Sequence, residues 1–262
     1  MENNLLIDIN NNILSIKFNR PQSRNAITRD MFEKLLKTLE DCKKSNNIRA
    51  IFLSGAGDAF SAGGDVKDMA SREDNTSLQE KTLSLRRIMG VSELLYSLPI
   101  PTISIINGPA AGAAFAIALS CDMRIATDNA KFVTAFSKIG FSGDFGGSFF
   151  LTKIVGTAKA RELYYLSEMI NAEEALKLGI VSNVIEKNTI DKYVENMKLK
   201  FQNLPPIAIK YMKKNLNNAE LGNLDLSLND EALYMMICSE TEDHKNAAKA
   251  FVNKEKVTFK GI

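Results

Sequence analysis

Short apolar runs alternate along the chain with longer segments in which apolar residues recur every three or four positions. The short runs predict β-strands, at Leu5–Ile9, Ile13–Phe18, Ala50–Leu53, Thr102–Ile106, Met123–Thr127 and Val181–Ile185. Asn10–Asn12 separates the first two and predicts a hairpin turn. The longer segments predict helices, after Thr28, over Leu78–Leu98, from about Gly112 and after Asn171. This alternation favours an α/β fold with a mostly parallel sheet that is covered on its faces.

The last quarter of the chain contains no strand-like segment. From Thr189 onward the apolar positions follow a helical period almost throughout. We therefore expect a core over residues 1–195 and a helical C-terminal region over residues 196–262.

The composition is that of a globular protein. The chain has 262 residues, of which 45% are hydrophobic and 24% charged, enough for a sizeable core. A net charge of +2 gives no electrostatic reason to expect nucleic acid or an anionic membrane surface as a partner. The most apolar long stretch, Ile100–Leu119, is interrupted by Pro, Asn and Gly residues, so it predicts a strand, a turn and a helix rather than a membrane span.

The three cysteines and the single histidine limit the cellular setting and the kinds of metal or catalytic site that the chain could have. The three cysteines lie far apart and the N-terminus resembles no targeting signal, which favours a reducing, cytoplasmic setting. The single histidine, His244, argues against a His-ligated metal site and against a Ser-His-Asp triad. We expect this histidine to lie at the surface or in an interface.

Two loops rich in small residues each follow a predicted strand directly. The first is Phe60–Met69, and the second, Asn107–Ala116, opens a helix. Small side chains let a ligand touch the backbone, and helix N-termini offer unpaired N–H groups. Two such N–H groups aimed at one oxygen form an oxyanion hole. Either loop alone is equally consistent with a tight turn and close packing of a helix on a sheet.

Taken together with further segments, the two loops resemble the crotonase (enoyl-CoA hydratase/isomerase) superfamily over essentially the full length. The further matching segments are Asn19–Ala26, Pro99–Asn107, Gly108–Asp122, Gly146–Ser148, Ala172–Val181 and Phe251–Lys254. The resemblance implies a crotonase-like ββα spiral core with a helical C-terminal region used in trimerisation. It also implies an acyl-CoA thioester as substrate and a homotrimer or dimer of trimers.

The resemblance also implies positions for the site. The backbone N–H groups of Gly64 and Ala113 match those that hold the thioester oxygen. The positions that match CoA-binding residues are Arg24, Ala26, Ala62, Asp65, Val66, Phe251 and Lys254. The last two match a pair that often reaches CoA from a neighbouring subunit, although Arg24 and Lys254 could equally be solvated surface charges. No metal, nucleotide or flavin is implied, and CoA arrives as part of the substrate.

The chain departs from the hydratases of this family at two positions. Those enzymes carry two glutamates, and the matching positions hold Ala116 and Phe136. Hydration needs a group that activates water and a proton for C2, and each such acid–base group contributes about 10²–10⁴-fold. Efficient hydration is therefore not expected as the main activity.

Asp144 matches the aspartate of Δ³,Δ²-enoyl-CoA and epoxyphenylacetyl-CoA isomerases, which also lack the two glutamates. A single base is sufficient for isomerisation, because it removes a proton at C2 and returns one at C4. The apolar Ala116 and Phe136 would keep water away and raise the pKa of Asp144. The resemblance thus predicts an enoyl-CoA isomerase, although Asp144 could also be a turn or cap residue before the helix near Gly146.

Other functions stay open. The chain could be a hydratase or an acyl-CoA hydrolase that uses another carboxylate, or a catalytically silent acyl-CoA-binding protein. Asp68 and Glu93 are the reserve acids, but both settings predict solvated faces, and we expect Asp122 to support a junction between strands. Four phenylalanines are candidates for either an acyl pocket or the core: Phe141, Phe145, Phe149 and Phe150.

Overall fold

A six-stranded sheet forms the centre of the computed structural model, which describes residues 3–45, 47–71 and 76–262. The strands in chain order are β1 (Leu5–Asn10), β2 (Ile13–Phe18), β3 (Ala50–Gly55), β4 (Thr102–Ile106), β5 (Ala110–Ala111), β6 (Met123–Thr127), β7 (Lys131–Val133), β8 (Ile170–Asn171) and β9 (Asn183–Ile185). The large sheet has the order β1-β2-β3-β4-β6-β9. Its β1–β2 pair is antiparallel and its other neighbours are parallel.

The predicted mostly parallel sheet and the N-terminal hairpin are confirmed. Asn11 and Asn12 form the turn with φ angles of 47° and 65°, a left-handed conformation that asparagine tolerates better than most residues. The last predicted strand begins at Asn183 rather than Val181, because the N–H groups of Ile180 and Val181 bond back to the Ala175 carbonyl. A small sheet of β5, β7 and β8 was not predicted, since strands of two or three residues show no period.

Helices surround the sheet. They are α1 (Arg29–Lys43), α2 (Val66–Ser71), α3 (Leu78–Ile88), α4 (Gly90–Ser97), α5 (Gly112–Leu119), α6 (Gly147–Leu166), α7 (Ala172–Lys177), α8 (Ile190–Gln202), α9 (Pro206–Ala219), α10 (Leu224–Ser239) and α11 (Glu242–Asn253). The predicted helix starts after Thr28 and after Asn171 are confirmed, and both residues cap their helices, since Thr28 Oγ1 accepts from Met31 N and Asn171 Oδ1 accepts from Glu174 N. Helix α6 is interrupted at Gly156, whose φ and ψ are 76° and 165°.

The single helix predicted over Leu78–Leu98 is wrong. The segment divides at Met89 into α3 and α4, and the two helices face different surroundings. Helix α3 buries no side chain, whereas α4 buries Val91 and Leu95. A Cβ at Gly90 would lie 3.1 Å from Leu36 of α1, so the glycine allows close approach where α4 starts.

Both faces of the large sheet are covered, as predicted. On one face the buried residues of α1, α4 and α5 pack with strand residues such as Leu14, Ile16 and Phe18. On the other face α8 contributes Ile190 and Met197, which pack on strand residues including Phe52. Among the described residues, no helix combines the length and the apolar character that a membrane span requires.

Lys213 of α9 attaches the C-terminal helices to the core. Its side chain is only 8% exposed, and its Nζ lies 2.8 Å from Asp122 Oδ2 and donates to the carbonyls of Leu95 and Ile100 at 3.0 Å. Asp122 Oδ2 also accepts from the backbone N–H and the hydroxyl of Thr102. Asp122 thus supports a strand junction, as expected. The proposed boundary between residues 195 and 196 falls within α8 and stays a prediction.

Lys213→Ala is expected to destabilise the fold strongly. Removing the buried ammonium leaves the Asp122 carboxylate and the carbonyls of Leu95 and Ile100 without this donor, and each unsatisfied buried group costs about 1–3 kcal/mol. Urea unfolding at fixed protein concentration measures this change. The control is Lys198→Ala, which removes a surface pair with Glu195 and should cost at most about 1 kcal/mol. Equal losses in the two variants would contradict the anchoring role of Lys213.

Candidate active site

The two loops of small residues lie against each other. Ala111 N donates to the Ser61 carbonyl at 3.0 Å, and Ser61 N donates to the Pro109 carbonyl at 3.1 Å. Gly63 has a φ of 87°, and a Cβ there would stand 2.6 Å from the Ala111 carbonyl oxygen and 3.4 Å from Ala113 N. Glycine is therefore required at position 63, and its lack of a side chain brings the first loop up to the start of α5.

The amides of Gly64 and Ala113 are both unused. Gly64 forms an isolated parallel bridge with Ile27. In this bridge Ile27 N donates to the Gly63 carbonyl, and Asp65 N donates to the Ile27 carbonyl. The N–H of Gly64 itself takes no part in these bonds and points away from Ile27. Ala113 is the second residue of α5, where an N–H has no partner within the helix. Among the described residues neither N–H has an acceptor. The pair, with the α5 dipole behind Ala113, can hold a developing negative charge on oxygen.

The loop before α6 carries Asp144 in an unusual backbone conformation. Gly143, Phe145 and Gly146 have φ angles of 110°, 47° and 74°. A positive φ is unfavourable for phenylalanine and persists only where the surroundings enforce it. Here the buried Phe145 ring stacks on Phe32 of α1, with centroids 4.7 Å apart and planes inclined by 21°. Packing in the core therefore fixes the backbone directly after Asp144.

The Asp144 carboxylate has no compensating partner. Its Oδ1 is buried and forms no hydrogen bond with the described residues. Burial raises the pKa of Asp144 to about 6. A carboxylate with a raised pKa and a free oxygen is suited to act as a general base near neutral pH. Burial raises the pKa of the Tyr164 phenol, and the negative charge of the nearby Asp144 raises it further.

The positions of the two missing glutamates lie near the start of α5 and the start of α6. The Phe136 ring lies 3.9 Å from the place of a Cβ on Gly112, which starts α5. Phe136 also stacks on Tyr164, with centroids 6.0 Å apart and planes inclined by 15°. Ala116 lies 3.0 Å from the place of a Cβ on Gly147, just after the Asp144 loop. Phe136 therefore lies beside the first turn of α5, which carries Ala113, and Ala116 lies beside the start of α6, which follows Asp144.

Five of the predicted CoA-binding residues form one patch, and a residue not singled out before connects them. Ala62 N donates to the Arg24 carbonyl at 2.9 Å. Arg20 Nη1 donates to the Ala26 carbonyl and to Asp65 Oδ2, both at 2.7 Å. The bond from Arg20 is the main cause that holds the pKa of Asp65 below its usual range. The side chain of Asp65 is thus engaged within the protein, whereas those of Arg24, Ala62 and Val66 are exposed.

Phe251 and Lys254 lie elsewhere, at the end of α11. Phe251 is 87% exposed, and Lys254 adopts a left-handed conformation just after the helix. Among the described residues, no hydrogen bond, ion pair or ring contact joins either one to the patch around Arg24. Within one chain the structure does not bring these two residues to the site.

The remaining candidate residues differ in burial and in the partners they contact. Glu93 is exposed and paired with Arg86, as expected for a solvated face, while Asp68 is half-buried in α2 beside Asp65. His244 is exposed in the first turn of α11. Among the four phenylalanines, Phe145 belongs to the core, Phe150 is half-buried, and Phe141 and Phe149 are more than half exposed. Tyr164 carried no sequence signal, because an aromatic residue within a helix is ordinary.

Comparison with known proteins gives full-length matches. A family model described as Enoyl-CoA hydratase/isomerase matches residues 8–262. The chain is 31% identical over 258 residues to a Short-chain-enoyl-CoA hydratase of Clostridium acetobutylicum, with 97% of each chain covered. It is 30% identical over 258 residues to the 1,2-epoxyphenylacetyl-CoA isomerase of Escherichia coli, with 98% of each covered. The crystal structure of an enoyl-CoA hydratase from Bacillus anthracis matches with a TM-score of 0.91 at 27% identity, over 99% of this chain and 100% of that one.

Asp144→Asn is expected to raise the thermal unfolding temperature. The pKa of this carboxyl rises from 3.8 to about 6 on folding, so ionisation opposes folding. This cost is absent below about pH 4, grows up to about pH 6 and is complete above it. The gain from Asn should therefore be larger at about pH 7.5 than at about pH 5. Thermal melts followed by circular dichroism at both pH values measure it.

The control is Asp8→Asn, which changes an exposed aspartate on β1. It should shift the melting temperature little, and by a similar amount at both pH values. A lower melting temperature for Asp144→Asn at about pH 7.5 would mean that the carboxylate has a stabilising partner.

Proposed function

The chain belongs to the enoyl-CoA hydratase/isomerase family and has its crotonase fold, and from this premise we propose that it is an enoyl-CoA isomerase. Members of the family act on acyl-CoA thioesters. In our proposal the enzyme shifts the double bond of a 3-enoyl-CoA to the 2-position. The observation that carries the proposal is Asp144, a half-buried carboxylate with a free oxygen, in a site whose two glutamate positions hold Ala116 and Phe136.

The proposed reaction needs one base and one oxyanion hole. The Asp144 carboxylate takes a proton from C2 of the 3-enoyl thioester, and the C–H electron pair enters the conjugated system. The resulting dienolate carries its negative charge on the thioester oxygen, which accepts hydrogen bonds from Gly64 N and Ala113 N. The Asp144 carboxylic acid then gives the proton to C4 while the double bond forms between C2 and C3. No atom is gained or lost, and the carboxylate is restored.

The surroundings of Asp144 favour this reaction over hydration. Hydration requires a carboxylate that activates water, and the side chains at the two relevant positions are a methyl group and a phenyl ring. Ala116 is 2% exposed and Phe136 is 5% exposed. A pocket closed in this way protects a dienolate from water and supports the high pKa of the base.

We propose that CoA binds along the patch that contains Arg24, Ala26, Ala62 and Val66. The exposed Arg24 side chain would pair with phosphate. Asp65 would act through its ion pair with Arg20, which joins the two segments of the patch. Phe251 and Lys254 would contact CoA bound to a neighbouring subunit of a homotrimer or of a dimer of trimers.

The proposed assembly has support on the C-terminal helices. Large apolar side chains are more than half exposed there, a pattern typical of an interface, at Leu216, Leu221, Leu224, Leu228, Leu233 and Met235. A cytoplasmic location also stays part of the proposal and rests on the cysteine usage of the sequence.

Hydration is the competing activity, because a relative with 31% identity is named a hydratase. In that case a carboxylate other than the two family glutamates would have to activate water. Thioester hydrolysis and acyl-CoA binding without turnover are the further alternatives.

The wild-type enzyme should convert trans-3-enoyl-CoA to trans-2-enoyl-CoA, and Asp144→Asn should lower kcat by about 10²–10⁴-fold. The base must be ionised, so kcat/KM should fall as the pH drops through about 6. Chromatography of the CoA products measures both. The control Asp8→Asn should keep full activity.

Three outcomes of this assay would contradict the proposal. Formation of 3-hydroxyacyl-CoA from trans-2-enoyl-CoA, unaffected by Asp144→Asn, would indicate a hydratase. Release of free CoA would indicate a hydrolase. Binding of acyl-CoA by calorimetry without turnover of either thioester would indicate a silent binding protein.

Gly63→Ala should damage the oxyanion hole. The new Cβ would meet the Ala111 carbonyl and push α5 away from Gly64, so we expect kcat to fall by about 10²–10³-fold. Gly179→Ala is the matched control, since Gly179 has a φ of 73° but no atom within 4 Å of the Cβ position. It carries the same backbone strain without the clash and should keep its activity. Equal activities in the two variants would contradict the assigned amide pair.

A further inference from the structure

Tyr164 of α6 lies across the loop that carries Asp144. Its Cε1 stands 3.0 Å from the place of a Cβ on Gly143, and its hydroxyl oxygen is the nearest neighbour of the place of a Cβ on Gly147. Both residues lack side chains where the phenol passes. The same ring therefore contacts the loop on either side of Asp144, one residue before it and three residues after it.

The phenol also borders the position of a missing glutamate. The atoms closest to the Cβ position on Gly147 are the Tyr164 hydroxyl and the Ala116 Cβ, so these two groups are neighbours. The face of the Tyr164 ring stacks on Phe136, which occupies the other glutamate position. A side chain longer than alanine at position 116 would have to share the space that the phenol fills.

The hydroxyl of Tyr164 does not act on Asp144 through a hydrogen bond. Among the described residues no hydrogen bond joins the Tyr164 hydroxyl to Asp144, and Asp144 Oδ1 has no partner. Burial and the Asp144 charge raise the pKa of Tyr164, so the phenol stays protonated and cannot serve as a second base near neutral pH. The contacts of the ring with Gly143, Gly147 and Phe136 point instead to a role through the space that the ring occupies.

We propose that Tyr164 is a positioning residue that decides between isomerisation and hydration. Its ring holds the Asp144 loop against the end of the site and fills the volume beside Ala116, where a nucleophilic water would otherwise stand. This inference rests on the proposed function, in which Asp144 is the base. It adds that restoring a glutamate at position 116 is not sufficient by itself for hydration, because the Tyr164 ring also closes the space beside that position.

The test compares Tyr164→Phe, Tyr164→Ala and Tyr165→Ala. Phenylalanine keeps the ring, alanine opens the space, and Tyr165 is a matched control on the same helix that is 71% exposed. The first measurement is the Asp144 titration by carboxyl ¹³C NMR in the free protein, which does not depend on turnover. The Asp144 pKa should stay near its wild-type value in Tyr164→Phe and Tyr165→Ala. It should fall by about one unit in Tyr164→Ala, because water reaches the carboxylate.

The second measurement is the product distribution from trans-3-enoyl-CoA and trans-2-enoyl-CoA. In Tyr164→Ala we expect isomerisation to slow by about tenfold or more and the acid limb of its pH profile to move down with the Asp144 pKa. We also expect 3-hydroxyacyl-CoA to form only when Tyr164→Ala is combined with Ala116→Glu, and not with Ala116→Glu alone. Tyr164→Leu replaces Tyr164→Ala if the latter does not fold.

The role of Tyr164 and the isomerase activity are tested independently. An unchanged Asp144 pKa and an unchanged rate of isomerisation in Tyr164→Ala would overturn the role of Tyr164 while leaving the isomerase intact. Hydration by Ala116→Glu alone would overturn it as well. A wild type without isomerase activity would overturn the proposed function, and the NMR titration would still decide whether Tyr164 shields Asp144.

Discussion

A carboxylate that is half-buried and has one buried oxygen without a partner is unfavourable when ionised, and packing on both sides of its loop holds Asp144 in that state. On one side the Phe145 ring stacks on Phe32 in the core. On the other side the Tyr164 ring crosses the loop at Gly143 and Gly147. Packing in the core thus offsets the free-energy cost of holding the Asp144 charge partly away from water. The proposed reaction depends on a base held in that environment.

The two amides that we propose for the oxyanion hole depend on a second close approach, between two loops that follow different strands. Ser61 Oγ donates to the Asn25 carbonyl and accepts from Gly63 N, which fixes the first loop internally. The bare Gly63 backbone then contacts the start of α5. Hydrogen bonds and small side chains, rather than charged groups, therefore set the geometry of the donors, and a side-chain substitution at Gly64 or Ala113 leaves the N–H groups themselves in place.

Much of this arrangement could be predicted from the sequence, because the relevant signals are local. Periodicity identified most strands and the Thr28 and Asn171 caps, and a family resemblance pointed to Gly64, Ala113 and Asp144. The break at Met89 could not be predicted, since it depends on how α4 meets Leu36 of α1. Tyr164 and Arg20 were missed for a similar reason. Their importance comes from contacts with residues far away in sequence, and a tyrosine in a helix or an arginine before a proline is unremarkable alone.

The central claim is that one carboxylate, shielded from water, both removes and returns the proton. The most direct test uses 3-enoyl-CoA labelled with deuterium at C2, converted by the wild-type enzyme in ordinary water, with the label located in the product at low conversion. The account predicts 2-enoyl-CoA that carries a measurable fraction of the deuterium at C4. A product with only protium at C4, or one with a hydroxyl group added at C3, would contradict it.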